Sequence, residues 1–222
     1  MRAELDLSIY AVLDPARCRG RALADMAEAA ARGGATLLQL RAKAASTRSL
    51  LQAAQDVQRA LAPFAVPLLI NDRIDVALAA GCAGVHLGAE DMPVEEARRL
   101  LGPDAIIGAT LRSAAEVEAL PVGSVDYASI GGVFATASKD NPDPPIGLEG
   151  LSHLLRRLGA RAPGLPVCAI AGIYHSNAAE VIGAGADGVA ILSDIFMADD
   201  VAAATRRLRA IVEAALTEGS HS

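Results

Sequence analysis

The chain has 222 residues, 52% hydrophobic but only 3% aromatic, with no tryptophan and a formal charge of -6. That length suits one large aliphatic core, and the acidic balance argues against nucleic acid, which requires a basic face. Cys18, Cys82 and Cys168 are far apart and form no C-x-x-C pair, so neither a disulfide framework nor a zinc site is expected and a reducing cytoplasm is the natural setting.

In chain order, the opening MRAELDLSIYAVLDP has an apolar run too short for a secretory signal and reads as a first strand at 8–13. A unit then recurs: a helical stretch, a glycine with a small neighbour, and a short apolar run that suits a strand buried on both faces. Further strands are predicted near 36–41, 67–70, 84–87, 105–110, 126–130, 166–171 and 188–192. Helices are predicted near 21–32, 47–61, 73–80, 93–101, 113–120, 148–160, 176–184 and 199–216. Ser46-Thr47 marks the start of the second helix, and Asp91-Met92-Pro93 with Glu95 and Glu96 that of the fourth. Ser113, three residues before Glu116, reads as a capping box.

Eight strands alternating with eight helices favour a (β/α)8 TIM barrel over an open doubly wound sheet. It would form one domain across residues 1–222. The long irregular segment 131–147, GGVFATASKDNPDPPIG, reads as a functional loop, and the tail 216–222 is expected to fray. No stretch reaches the roughly 18 apolar residues a membrane helix needs.

In this architecture chemistry gathers where strands end. Gln39, Arg41 and Lys43 share one face of the second strand and its extension. An inward Gln and Arg are costly unless something binds them, whether a ligand or an internal salt bridge. Asp72 and Asp91 end the neighbouring third and fourth strands. Each alone could cap a helix; together, opposite two cations, they read as ligands for Mg²⁺. His86 near the end of the fourth strand reads equally as a core or a ligand-contacting residue. Gly172 and Ser193, after the seventh and eighth strands, fall where this fold commonly holds phosphate, with the helix starting near Ser193-Asp194 adding its dipole.

These residues, in order, carry a resemblance to the thiamin phosphate synthases over nearly the whole chain. The segments are Gln39-Leu40-Arg41-x-Lys43 with Ser46-Thr47, Pro67 to Arg73, Gly84 to Gly88, Glu90-Asp91-x-Pro93 and Ile106-Ile107-Gly108. Phe134-x-Thr136-x-Ser138-Lys139, Pro144 to Leu151 and Gly185 to Val189 complete the set. The resemblance implies a transferase that condenses a hydroxymethylpyrimidine diphosphate with a thiazole phosphate, releasing diphosphate. It implies that Gln39, Arg41, Lys43, Asn71 and Lys139 hold the pyrimidine diphosphate and that Asp72 and Asp91 bind Mg²⁺. Thr136, Ser138, Gly172 and Ser193 would receive the thiazole phosphate, with Thr110 near the pyrimidine, and His86 and Leu192 would be further substrate-binding residues. Arg41, Lys43, Thr110 and Lys139 would act on the reacting groups. The partners implied are these small molecules, not nucleic acid or membrane, and a homo-oligomer is compatible with the pattern.

Departures stand at Ala89, Thr110, Arg112, Gly132, Ala135, Ser138 and Ala171, where Gln, Ser, His, Pro, Pro, Thr and Gly respectively are common in the family. The related thiazole tautomerases share the fold but rely on a histidine at the position of Arg112 and lack the two metal aspartates. An isomerase of that kind, or a barrel that only binds a phosphorylated ligand, is the alternative reading.

Overall fold

Apolar runs with no polar alternation bury both faces of a strand, and eight of them close here into one parallel sheet. The computed structural model describes residues 5–136 and 144–219. The strands are β1 Ile9–Leu13, β2 Leu37–Leu40, β3 Leu68–Asn71, β4 Gly84–Leu87, β5 Ile106–Leu111, β6 Tyr127–Ile130, β7 Val167–Ile170 and β8 Gly188–Ile191. Each pairs in parallel with the next, and β8 returns to β1 through Ile9 opposite Val189.

The helices are α1 Leu23–Arg32, α2 Thr47–Leu61, α3 Ile74–Ala80, α4 Val94–Leu101 and α5 Ala114–Ala119. They continue with α6 Gly147–Arg161, α7 Ala178–Gly183, α8 Ser193–Phe196 and α9 Val201–Gly219. The expected alternation is therefore present, with β4 and α2 at their expected ranges and the other boundaries moved by at most three residues. Of the tail 216–222, residues 216–219 continue α9. Leu216 packs against the core, and Thr217 Oγ1 donates to Glu213 O at 2.8 Å, which holds the last turn. Residues 220–222 lie outside the described residues.

Local signals explain several starts. Ser46 Oγ accepts the Ser49 N–H at 3.2 Å, capping α2. Ser113 Oγ likewise accepts Glu116 N–H at 3.2 Å, but the Glu116 carboxylate returns to the N–H of Arg112 rather than of Ser113. The capping box is thus displaced by one residue.

One cluster of buried side chains fills the space between sheet and helices, built on Ile9, Leu38, Ile70, Val85 and Val189. A second lies inside the barrel, where Tyr10, Leu37, Leu69, Tyr127 and Cys168 interdigitate. Cys82 is only partly buried, unlike Cys168 and Cys18. At the strands' N-terminal end, Arg98 bonds Asp126 at 2.5 Å, and the same carboxylate accepts Ile107 N–H at 2.7 Å, tying α4 to β5 and β6. Among the described residues, no helix is long and apolar enough to cross a membrane.

Candidate active site

Alternation along β2 sends Gln39 inward, and Arg41 follows with the same parity just past the strand's end. Both line a pocket at the mouth where the strands end, together with Asn71 after β3, His86 on β4 and Thr110 on β5. Thr136, Gly172, Leu192 and Ser193 line its other side. Lys43, Asp72 and Asp91 do not line this pocket. They form a charged cluster on the adjacent rim: Lys43 Nζ lies 3.2 Å from Asp72 Oδ2. Ser138 and Lys139 lie outside the described residues.

Asp72 has φ 63°, a left-handed conformation that a residue with a Cβ adopts at a cost. Its N–H donates to His86 O at 3.0 Å, which fixes the turn that aims its carboxylate. Asp91 Oδ2 accepts Gly88 N–H at 2.6 Å. Burial, followed by a side-chain hydrogen bond to Asp72 and the charge of Asp72, raises the pKa of Asp91. Two carboxylates that touch repel unless a proton or a cation lies between them. Neither caps a helix, because Arg73 and Pro93 occupy the cap positions of α3 and α4. Two oxygen donors beside an open pocket suit Mg²⁺, which takes one or two carboxylates and completes its shell with phosphate oxygens and water.

Arg41 makes the internal salt bridge that was one of its two readings from the sequence, and it does so at the pocket wall. It lines the pocket, and its Nη1 lies 2.5 Å from Asp14 Oδ2, with side chains only 17% and 11% exposed. Asp14, just past β1, was not singled out by sequence reasoning. Alternation could have found it, since Tyr10, Val12 and Asp14 share a parity, as Gln39 and Arg41 do. Tyr10 and Tyr127, beneath the pocket floor, were missed for the same reason.

The opposite side is shaped by backbone. Ala171 has φ 91° and Gly172 φ 66°. Phe134 N–H donates to Ala171 O at 3.0 Å, and Val133 N–H to Ile170 O at 3.3 Å. A Cβ on Gly172 would stand 2.5 Å from Ala135 O, so this glycine is required by close approach of the 133–135 segment. Asn177 Nδ2 donates to Gly172 O at 3.0 Å, and His175 N–H to Asp194 Oδ2 at 2.8 Å, joining this loop to α8. The helix expected near Ser193-Asp194 is α8, which starts at Ser193 and has four residues. Arg112 also lines the pocket, and among the described residues no carboxylate lies within ion-pair distance of it.

A family model described as "Thiamine monophosphate synthase" matches residues 9–195. A thiamine-phosphate synthase of Agrobacterium fabrum is 47% identical over 96% of this chain and 97% of its own length. That of Methanoculleus marisnigri is 44% identical over 95% and 98%. A solved thiamine phosphate pyrophosphorylase from Pyrococcus furiosus superposes with a TM-score of 0.83 at 36% identity, covering 96% of this chain and 98% of that one. The matched residues run from the first strand to the short helix after the eighth, so the whole barrel and its mouth are included, and the chain belongs to the thiamine monophosphate synthase family.

Proposed function

We propose that this barrel is a thiamine-phosphate synthase, a transferase that joins a hydroxymethylpyrimidine diphosphate to a thiazole phosphate and releases diphosphate. The observation that carries the reading is the touching pair Asp72 and Asp91, next to Lys43 and the pocket-lining Arg41. An isomerase would need no such pair, whereas a departing diphosphate needs a divalent cation and fixed positive charge.

Asp72 and Asp91 would hold Mg²⁺, which when bound neutralises diphosphate oxygens. Arg41 and Lys43 face the same leaving group and stabilise the negative charge that gathers on it, without transferring a proton. One such charge pair at about 4 Å is worth roughly 4 kcal/mol at an effective dielectric near 20. Lys139 is assigned to the diphosphate as well, by the family pattern. The pyrimidine lies on Gln39, Asn71, His86 and Thr110. Departure of diphosphate leaves a methylene cation there, and the thiazole nitrogen attacks it. Thr136, Ser138, Gly172, Leu192 and Ser193 position the thiazole phosphate through hydroxyls and backbone N–H groups. The buried Cys18 and Cys168, both free thiols, suit a reducing cytoplasm.

The test mixes purified protein, Mg²⁺ and both heterocycles, and measures thiamine monophosphate and diphosphate. Asp72→Ala should lose most turnover and its Mg²⁺ dependence. Wild-type rate and metal titration in that variant would remove Asp72 from the metal site. Thiazole isomerisation in place of condensation would support the tautomerase reading.

A further inference from the structure

Beneath the pocket, five side chains form one hydrogen-bonded file across the barrel. Gln39 Nε2 donates to the Tyr10 hydroxyl. The Tyr10 and Tyr127 hydroxyls lie 2.8 Å apart, and Tyr127 lies 2.7 Å from His86 Nδ1. His86 Nε2 lies 2.7 Å from Thr110 Oγ1.

A hydroxyl has one proton to give, so the direction of the file can be worked out. An amide nitrogen only donates, so Tyr10 accepts from Gln39 and must place its own proton elsewhere. Tyr10 is fully buried, and its remaining partner among the described residues is Tyr127. A buried donor left unpaired is costly, so the Tyr10 proton goes to Tyr127. Tyr127, equally buried, then gives its proton to His86 Nδ1. His86 is therefore the neutral tautomer protonated on Nε2, and it donates to Thr110. The Thr110 proton is left for the pocket that Thr110 lines. At the other end, Gln39 is 3% exposed and lines the same pocket, and its amide oxygen has no partner among the described residues.

We propose that Tyr10 and Tyr127 are positioning residues that lock this file in one direction, so that the pocket presents an acceptor at Gln39 and a donor at Thr110. If the Gln39 amide were turned over, every proton in the file would reverse and both ends would exchange roles. The locked pattern fits a heterocycle with an amino group as donor and a ring nitrogen as acceptor. It opposes the oxo analogue, whose carbonyl accepts and whose ring N–H donates. This ligand assignment rests on the function proposed above; the direction of the file does not.

Two features of the fold support the arrangement. A Cβ on Gly108 would stand 2.0 Å from Tyr127 Cζ and 2.3 Å from its hydroxyl, so β5 omits a side chain where the phenol passes towards His86. Burial also pushes the pKa of both phenols up, which keeps each a proton donor.

The first test needs no ligand. In protein labelled with ¹⁵N-histidine, the His86 ring should carry its proton on Nε2 and none on Nδ1. The signal is assigned by elimination with His153→Gln, His175→Gln and His221→Gln. A proton on Nδ1 would overturn the proposal. The second test uses Tyr127→Phe, which keeps the ring packed against Gly108. Its kcat/KM with the aminopyrimidine diphosphate should fall about tenfold, the effect of one lost hydrogen bond of ~1.4 kcal/mol. Its preference over the 4-oxo analogue should narrow, while KM for the thiazole phosphate stays unchanged. Tyr10→Phe should move both values the same way, by less, and serves if Tyr127→Phe does not fold. An unchanged preference in the folded variants would overturn the locking role. Absence of condensation in the wild type would instead sink the functional reading, and the ring proton would still decide the file.

Discussion

The guanidinium of Arg41 and the carboxylate of Asp14 are both largely withdrawn from water, so each depends on the other. Removing one partner of a buried pair leaves an uncompensated charge, at about 3–5 kcal/mol. Asp14→Asn should therefore lower stability in a urea titration by about that amount. Because Arg41 also lines the pocket, an added anion can replace the lost partner. Inorganic diphosphate should accordingly stabilise Asp14→Asn more than it stabilises the wild type. Equal stabilisation of the two would mean that Arg41 does not reach the leaving group. At this scale the sequence was legible where alternation was followed and silent where it was not. Gln39 and Arg41 were found on β2, but the same spacing on β1 hides Tyr10 and Asp14 among apolar neighbours. The positive φ of Asp72 has no local signature, since tertiary hydrogen bonding to His86 O imposes it.

The strands and helices were legible because each follows from a burial pattern only a few residues long. What escaped depends on contacts distant in sequence. The last turn of α9 survives because Leu216 finds the core, and a polar, Gly-containing tail gives no hint of that. The separate starts of α8 and α9 were legible, and Ile195 and Phe196 are buried beside an exposed Met197. The loop after β7 offers a test at this scale. Ala171 holds φ 91°, where its Cβ crowds the backbone by about 1–2 kcal/mol. Ala171→Gly should keep the Phe134 N–H to Ala171 O bond and relieve that strain. The expected gain is about 1 kcal/mol, or roughly 2–4 °C in a thermal melt of a chain this size. A lower melting temperature would show that the methyl group packs more favourably than the strained backbone costs.

Across the whole molecule, strength and chemistry lie at opposite ends of the barrel. The N-terminal end carries paired contacts such as Arg98 with Asp126, and Asp187 Oδ2 accepting Val167 N–H at 2.7 Å. The C-terminal end carries the strained Asp72 and Ala171 and the repelling Asp72–Asp91 pair. A closed sheet over an aliphatic core has no need of a metal, so chelation should stop turnover without unfolding the chain. The ligand-free melting temperature should stay the same with EDTA, because the site's cation is recruited mainly with its phosphate oxygens. Mg²⁺ with inorganic diphosphate should act differently. At a hundredfold excess over Kd it stabilises by about 2.7 kcal/mol, which is roughly 5–10 °C for a domain of this size. Asp72→Ala should abolish this joint shift while changing the melting temperature of the free protein little, since it removes one of two like charges but also the partner of Lys43, and keeps the Cβ in the left-handed backbone. Scanning calorimetry on the wild type and this variant, each with EDTA, Mg²⁺ alone and Mg²⁺ with diphosphate, separates the cases. A fall in the ligand-free melting temperature on chelation would place the metal in a structural site away from Asp72 and Asp91, and a joint shift that survives in Asp72→Ala would remove this carboxylate from diphosphate capture.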